Sequence, residues 1–182
     1  MERALLLIDI QNDYFPGGRM ELTGSAEAGG KAGTLLAAFR SRDLPVIHIQ
    51  HVSVRPGAGF FLPDTEGVEI HASVLPREGE TVFQKHYPNS FRETPLLDHL
   101  RRIGTGRLVI AGMMTHLCVD STVRAAFDLG FACLLAHDAC ATRGLSFGSV
   151  AVPAEHVHAS HTAALQGIFC KVLSTGEISS GL

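Results

Sequence analysis

The sequence predicts a three-layer α/β/α sandwich built on a mainly parallel, Rossmann-like sheet of about six strands. Three observations lead there: apolar runs that are continuous rather than alternating, helix-length segments between them, and chemically capable side chains where the runs end. Strands buried on both faces carry no polar side, so an unbroken apolar run reads as a central parallel strand. Residues 4–8, 45–49, 108–111 and 131–136 are such runs, and 82–85 and 169–173 are weaker candidates. Helices are expected over 26–41, 95–103, 115–129 and 153–166, and this alternation argues for double winding. Ligands of such sheets bind beyond the carboxyl ends of the strands. Asp9, the stretch from His48 to His51, Lys85, the stretch from Met113 to Cys118, and His137 with Asp138 are placed there.

Bulk properties narrow the function. With 182 residues and 46% hydrophobic composition, one sizeable core and a single domain over 1–182 are expected. A net charge of −3, from 15 Lys+Arg against 18 Asp+Glu, with no basic run, argues against nucleic acid and anionic membrane as partners. The first apolar run is too short for a signal-peptide core and no stretch reaches 18 apolar residues, so a cytoplasmic protein is expected. Cys118, Cys133, Cys140 and Cys170 form no CxxC pair, which fits free thiols in a reducing compartment. Cys133 and Cys170 fall in apolar runs, and Cys140 reads as a loop residue. The irregular stretch 52–80, rich in Pro and Gly, reads as a lid or binding loop. The tail 174–182 is expected to fray or to dock on a partner subunit.

The segment "GMMTHLCVDST" runs from a strand into a helix and puts Cys118 three residues after Thr115. If Thr115 caps that helix, the thiol lies at the positive end of the helix dipole, where a cysteine pKa drops below its free value of about 8.5. Alternatively, Cys118 is a small buried hydrophobe. Asp9, ending the wholly apolar strand of "LLLIDIQND", would be costly to bury unless paired, and Lys85 in "TVFQKHYPNSF" is the matching cation. The two could form a plain structural ion pair. With Cys118 they could also form a site in which Asp9 takes the thiol proton and Lys85 keeps Asp9 ionised.

Together, "LLIDIQNDYF", "KHYPNSF" and "AGMMTHLCVDSTVRAAFDLGF" resemble the isochorismatase-like cysteine hydrolases, among them nicotinamidases and carbamoylsarcosine amidases. The resemblance spans essentially the whole chain. It implies a catalytic triad of Asp9, Lys85 and Cys118, and a cis peptide between Met113 and Met114 that turns the Met114 and Cys118 amides inward as an oxyanion hole. It further implies hydrolysis of a small-molecule amide or carbamoyl C–N bond through a thioester, and a homo-oligomer, dimer or tetramer. Gln11, Phe15, Phe60, Tyr87, Phe91, Met113, His116 and Leu117 are the candidate walls of the substrate pocket, together with Phe61 and Met114.

Isochorismatases proper cleave a vinyl ether without the cysteine, so Cys118 favours C–N hydrolysis. Nicotinamidases hold a divalent metal through an Asp-x-His pair after the second strand. Here Ile49 stands in the aspartate's place, and His48, Gln50, His51 and His71 make a poor ligand set, so no metal and no other cofactor is expected. His51 or His48 is instead expected as a polar contact within the pocket or the lid, and His156, His158 and His161 as solvated helix surface. A non-hydrolytic thiol protein, redox-responsive or ligand-binding, is the competing reading. A dinucleotide-binding protein is disfavoured, since Asp9-Ile10-Gln11-Asn12-Asp13 follows the first strand where a glycine-rich loop would be needed.

Overall fold

The computed structural model describes residues 2–182. Six parallel strands form the sheet: β1 (Glu2–Ile8), β2 (Val46–His51), β3 (Thr81–Lys85), β4 (Thr105–Met113), β5 (Ala132–Ala141) and β8 (Lys171–Leu173), in the order β3-β2-β1-β4-β5-β8. Along β1, Leu5 and Leu7 face one core cluster while Ala4, Leu6 and Ile8 face the other, which is why the run is apolar throughout. On the first face, α1 (Ser25–Arg40) brings Leu35, Leu36 and Phe39 to the sheet. Each is buried, a gain of about 1.5–3 kcal/mol apiece. On the second face, α2 (Leu96–Arg102) contributes Leu96 and Leu100, α3 (Asp120–Asp128) Val123 and Ala126, and α4 (Ala154–Leu165) Leu165.

Four points depart from or add to the sequence reading. The hairpin of β6 (Leu145–Phe147) and β7 (Val150–Val152) lies outside the main sheet, in three-residue strands too short to show a period. Cys140 is no loop residue; it is buried near the end of β5, paired with Gly112 after a register break in the β4–β5 ladder. The tail forms α5 (Thr175–Ser180), started by a Ser174–Glu177 capping box, a signal readable in "STGE". It docks on its own chain, with Thr175 N and Oγ1 donating to Asp138 at 2.7 and 2.9 Å and Ile178 in the core. The fourth concerns the segment 115–129, which opens as a π-helical turn over Thr115–Val119 before α3 begins.

Gly112 sits at φ +142°, where a Cβ would run into the backbone carbonyl of Ile8 on the neighbouring strand. Gly112→Ala is therefore expected to prevent soluble expression or to lower the urea midpoint more than any single core Leu→Ala, which costs about 2–5 kcal/mol.

Candidate active site

Four adjacent strands each deliver one polar side chain to the carboxyl edge. Lys85 is the last residue of β3 and His51 the last of β2; Asp9 follows β1, and Cys118 lies in the turn after β4. Asp9 has a left-handed backbone (φ 50°), a conformation that Asp tolerates better than most residues. Asp9, Lys85 and Cys118 are all buried.

The Lys85 ammonium is the hub. Its Nζ lies 3.0 Å from His51 Nδ1, 3.1 Å from the Tyr87 carbonyl oxygen and 3.3 Å from Cys118 Sγ, which accounts for its three hydrogens. Asp9 Oδ2 is nearer still, at 2.7 Å, but the approach lies off the hydrogen-bonding direction. The contact is thus an ion pair, and both carboxylate oxygens remain without a hydrogen-bond donor among the described residues. Asp9 is a desolvated base with open lone pairs. Burial opposes the Lys85 charge, yet Asp9 and Cys118 outweigh it and hold Lys85 above the ordinary lysine range.

The turn that carries Cys118 departs from the sequence expectation. The Met113–Met114 bond is cis, and Met114, not Thr115, precedes the turn. Leu117 N and Val119 N both donate to Met114 O, at 3.1 and 3.2 Å, and Met114 N–H has no partner among the described residues. Thr115 does not cap the turn with its side chain; its hydroxyl donates to Ala141 O at 3.3 Å and meets His158 Nδ1 at 2.9 Å. Instead of the lowered thiol pKa that a capped helix would give, burial first and the Asp9 carboxylate next push the Cys118 thiol up, with Lys85 acting against them. Alkylation of Cys118 by iodoacetamide, followed by mass spectrometry, should accordingly rise with pH beyond the range of a free cysteine. Asp9→Asn should shift that rise to lower pH and Lys85→Met to higher pH, since the first removes a charge that opposes the thiolate and the second one that favours it.

The irregular stretch 52–80 is fastened rather than free. Gln11 Nε2 donates to His51 O and Val68 O, and Gln11 Oε1 accepts from His51 N. Gln50 Nε2 also donates to Val68 O, while Asp13 accepts from Arg19 N and from Phe61 N. A Cβ on Gly67 would collide with the Asp13 carboxylate. The pocket candidates are held in different ways. Gln11 is spent on backbone groups, Phe15 stacks on His71 (ring centroids 3.5 Å apart) over α1, Phe91 packs against Phe131, and Met113 is sealed in the core. Phe60 and Phe61 instead form an aromatic wall with Tyr14, and Phe61 is also 5.9 Å from the His51 ring. Tyr87 gives its carbonyl to Lys85 and its ring to Arg92; His116 hydrogen-bonds Thr142, and Leu117 is exposed. Tyr14 is an addition to the sequence reading: it is buried, and burial, Cys118 and Asp9 together raise its pKa, which places its phenol in their field. On α4, His158 touches Thr115, and His161 lies 3.3 Å from Asp120 Oδ1 with its ring 5.9 Å from His116. These two are therefore not the solvated surface expected of them.

Residues 3–177 match the family model of the isochorismatase domain. The chain belongs to the isochorismatase family. It is 51% identical over 175 residues to the isochorismatase family protein YddQ of Bacillus subtilis, covering 96% of this chain and 97% of that one. The crystal structure of an isochorismatase hydrolase from Oleispira antarctica superposes with a TM-score of 0.96 at 46% identity, covering 99% and 97% of the two chains. A nicotinamidase/pyrazinamidase of Mycobacterium tuberculosis is 28% identical over 151 residues, 71% of this chain and 81% of that one.

The metal set of nicotinamidases within the isochorismatase family does not fit this chain. Ile49 is in the core, His48 Nε2 turns to Glu80 at 3.0 Å, and His71 lies against Phe15. Asp9, His51 and Cys118 do bring ligand atoms within 4.8 Å of one another, but the Lys85 ammonium already contacts all three, so a dication there would meet its charge.

Proposed function

We propose that this isochorismatase-family hydrolase cleaves the C–N bond of a small amide or carbamoyl compound through a Cys118 thioester. The observation that carries the reading is Cys118 Sγ within 3.3 Å of an ammonium that is itself paired with a donor-free carboxylate. As Sγ attacks the carbonyl carbon, its proton passes to Asp9, and Lys85 offsets the negative charge left on sulfur and oxygen. Collapse of the tetrahedral species expels ammonia or an amine, protonated by Asp9; Asp9 then takes a proton from the water that hydrolyses the thioester. Met114 N–H, without a partner, and Cys118 N–H are the proposed oxyanion donors. A redox-sensing thiol is less well supported, since sensors use exposed, low-pKa cysteines and Cys118 is neither.

A panel of simple amides and N-carbamoyl compounds assayed for ammonia release tests the proposal, and at least one member should turn over in wild type and none in Cys118→Ala. Release by both proteins alike, or by neither, would sink it. Exhaustive chelation is expected to leave that activity unchanged. Loss that is restored by one added metal would reinstate a metal mechanism. The same reading takes the working unit to be a dimer or tetramer, to be checked by light scattering.

A further inference from the structure

We propose that His51 is a fixed hydrogen-bond donor to the substrate, presenting Nε2–H beside the nucleophile, so that the enzyme favours amides carrying a hydrogen-bond acceptor near the scissile carbonyl. This rests on the amidohydrolase reading and names its substrate class.

The argument begins with the backbone. His51 ends β2, and the Gln11 side chain grips both its N–H (2.7 Å) and its C=O (2.9 Å), so the ring is projected from a fixed base. Lys85 Nζ meets Nδ1 at 3.0 Å. An ammonium can only donate, so Nδ1 must offer its lone pair, and the proton of a neutral imidazole is then confined to Nε2. The ring is neutral: burial pulls its pKa down and Lys85 adds to this, against Asp9, to about 4. Its Nε2 has no partner among the described residues and does not belong to the sealed, unpartnered polar atoms, while the residue as a whole is half-buried. A ring nitrogen lies within 4.8 Å of both Asp9 and Cys118 Sγ. A carbonyl carbon poised roughly 3–3.5 Å from sulfur would bring its substituent alongside that ring, whose Nδ1 is already engaged by Lys85, so that Nε2–H is the donor left to meet it. The same tautomer turns Nε2 from a metal ligand into a donor. Asn or Gln could not reproduce both faces of the ring at once, because Asn reaches only the Nδ1 position and Gln the Nε2 position.

Two measurements test this. In enzyme labelled with ¹⁵N-histidine, His51 should show an acceptor-type Nδ1 and a protonated Nε2 at neutral pH; an Nδ1–H tautomer or an imidazolium there would overturn the proposal. In Cys118→Ala enzyme, at least one of the three pyridinecarboxamides should move the His51 Nε2–H resonance more than benzamide does, whereas equal shifts from all four would refute the substrate-facing role. With active enzyme, the kcat/KM ratio of the best pyridinecarboxamide to benzamide is expected to be about 10 or more, the scale of one hydrogen bond. His51→Asn should bring it near 1, and His51→Gln should restore part of it. A ratio unaltered in His51→Asn would count against the proposal. If no amide is hydrolysed, the amidohydrolase reading fails by itself, and the resonance shifts still decide the role of His51.

Discussion

Replacing Cys118 with alanine is expected to reduce turnover to background while the fold survives, because only a small side chain is lost. Asp9→Asn keeps the volume and removes the base, and should cost at least about 10²-fold in kcat, the lower end of what general acid–base catalysis contributes. The two changes should not add: without the thiol, the base has no proton to take, so the double variant should be hardly slower than Cys118→Ala alone. Steady-state ammonia release with the best substrate of the panel is the measurement. What separates this from a merely structural ion pair is the opposite behaviour of chemistry and alkylation, since Asp9→Asn should slow turnover while making Cys118 easier to alkylate. An Asp9→Asn protein with wild-type turnover would require a different base.

The second large effect is on stability. Asp9 and Lys85 are both fully enclosed, and Lys85→Met leaves the carboxylate without its cation, a change that costs about 3–5 kcal/mol when a buried pair is broken. Asp9→Asn combined with Lys85→Met should regain part of the loss, because the enclosed charge left without its cation is then removed as well. Urea midpoints of wild type, Lys85→Met and the double variant check this, and equal losses in the two variants would show that the stranded carboxylate is not responsible.

Much of this was legible in the residues. Continuous apolar runs located four of the six sheet strands, because a parallel strand covered on both faces has no polar side to hide; β3 and β8, at the two edges of the sheet, left only the weaker runs. The motifs located Asp9, Lys85 and Cys118 because an ionisable group at the end of such a run needs a reason to be there. The misreadings have a common cause. The sequence of "DIQND" does not tell which polar residue serves the site and which the backbone: Asp9 faces Lys85, whereas Gln11 and Asp13 fasten a distant loop. Nor does helix position alone set a thiol pKa, because enclosure and a neighbouring carboxylate outweigh the turn that carries it. His158 was hidden for a simpler reason, as its partner Thr115 lies 43 residues away.

The three hydrogens of Lys85 are directed at a ring nitrogen, a main-chain oxygen and a sulfur, with the carboxylate held by charge alone. A planar guanidinium spreads its donors over three nitrogens and cannot make these contacts from one atom, so Lys85→Arg is expected to lower turnover although the charge is kept. The arrangement also means that the smallest portable unit is larger than three side chains. Anyone grafting this cluster onto another α/β sheet would have to import the His51 ring and the Tyr87 carbonyl as well, since two of the three groups that accept from the ammonium would otherwise be missing.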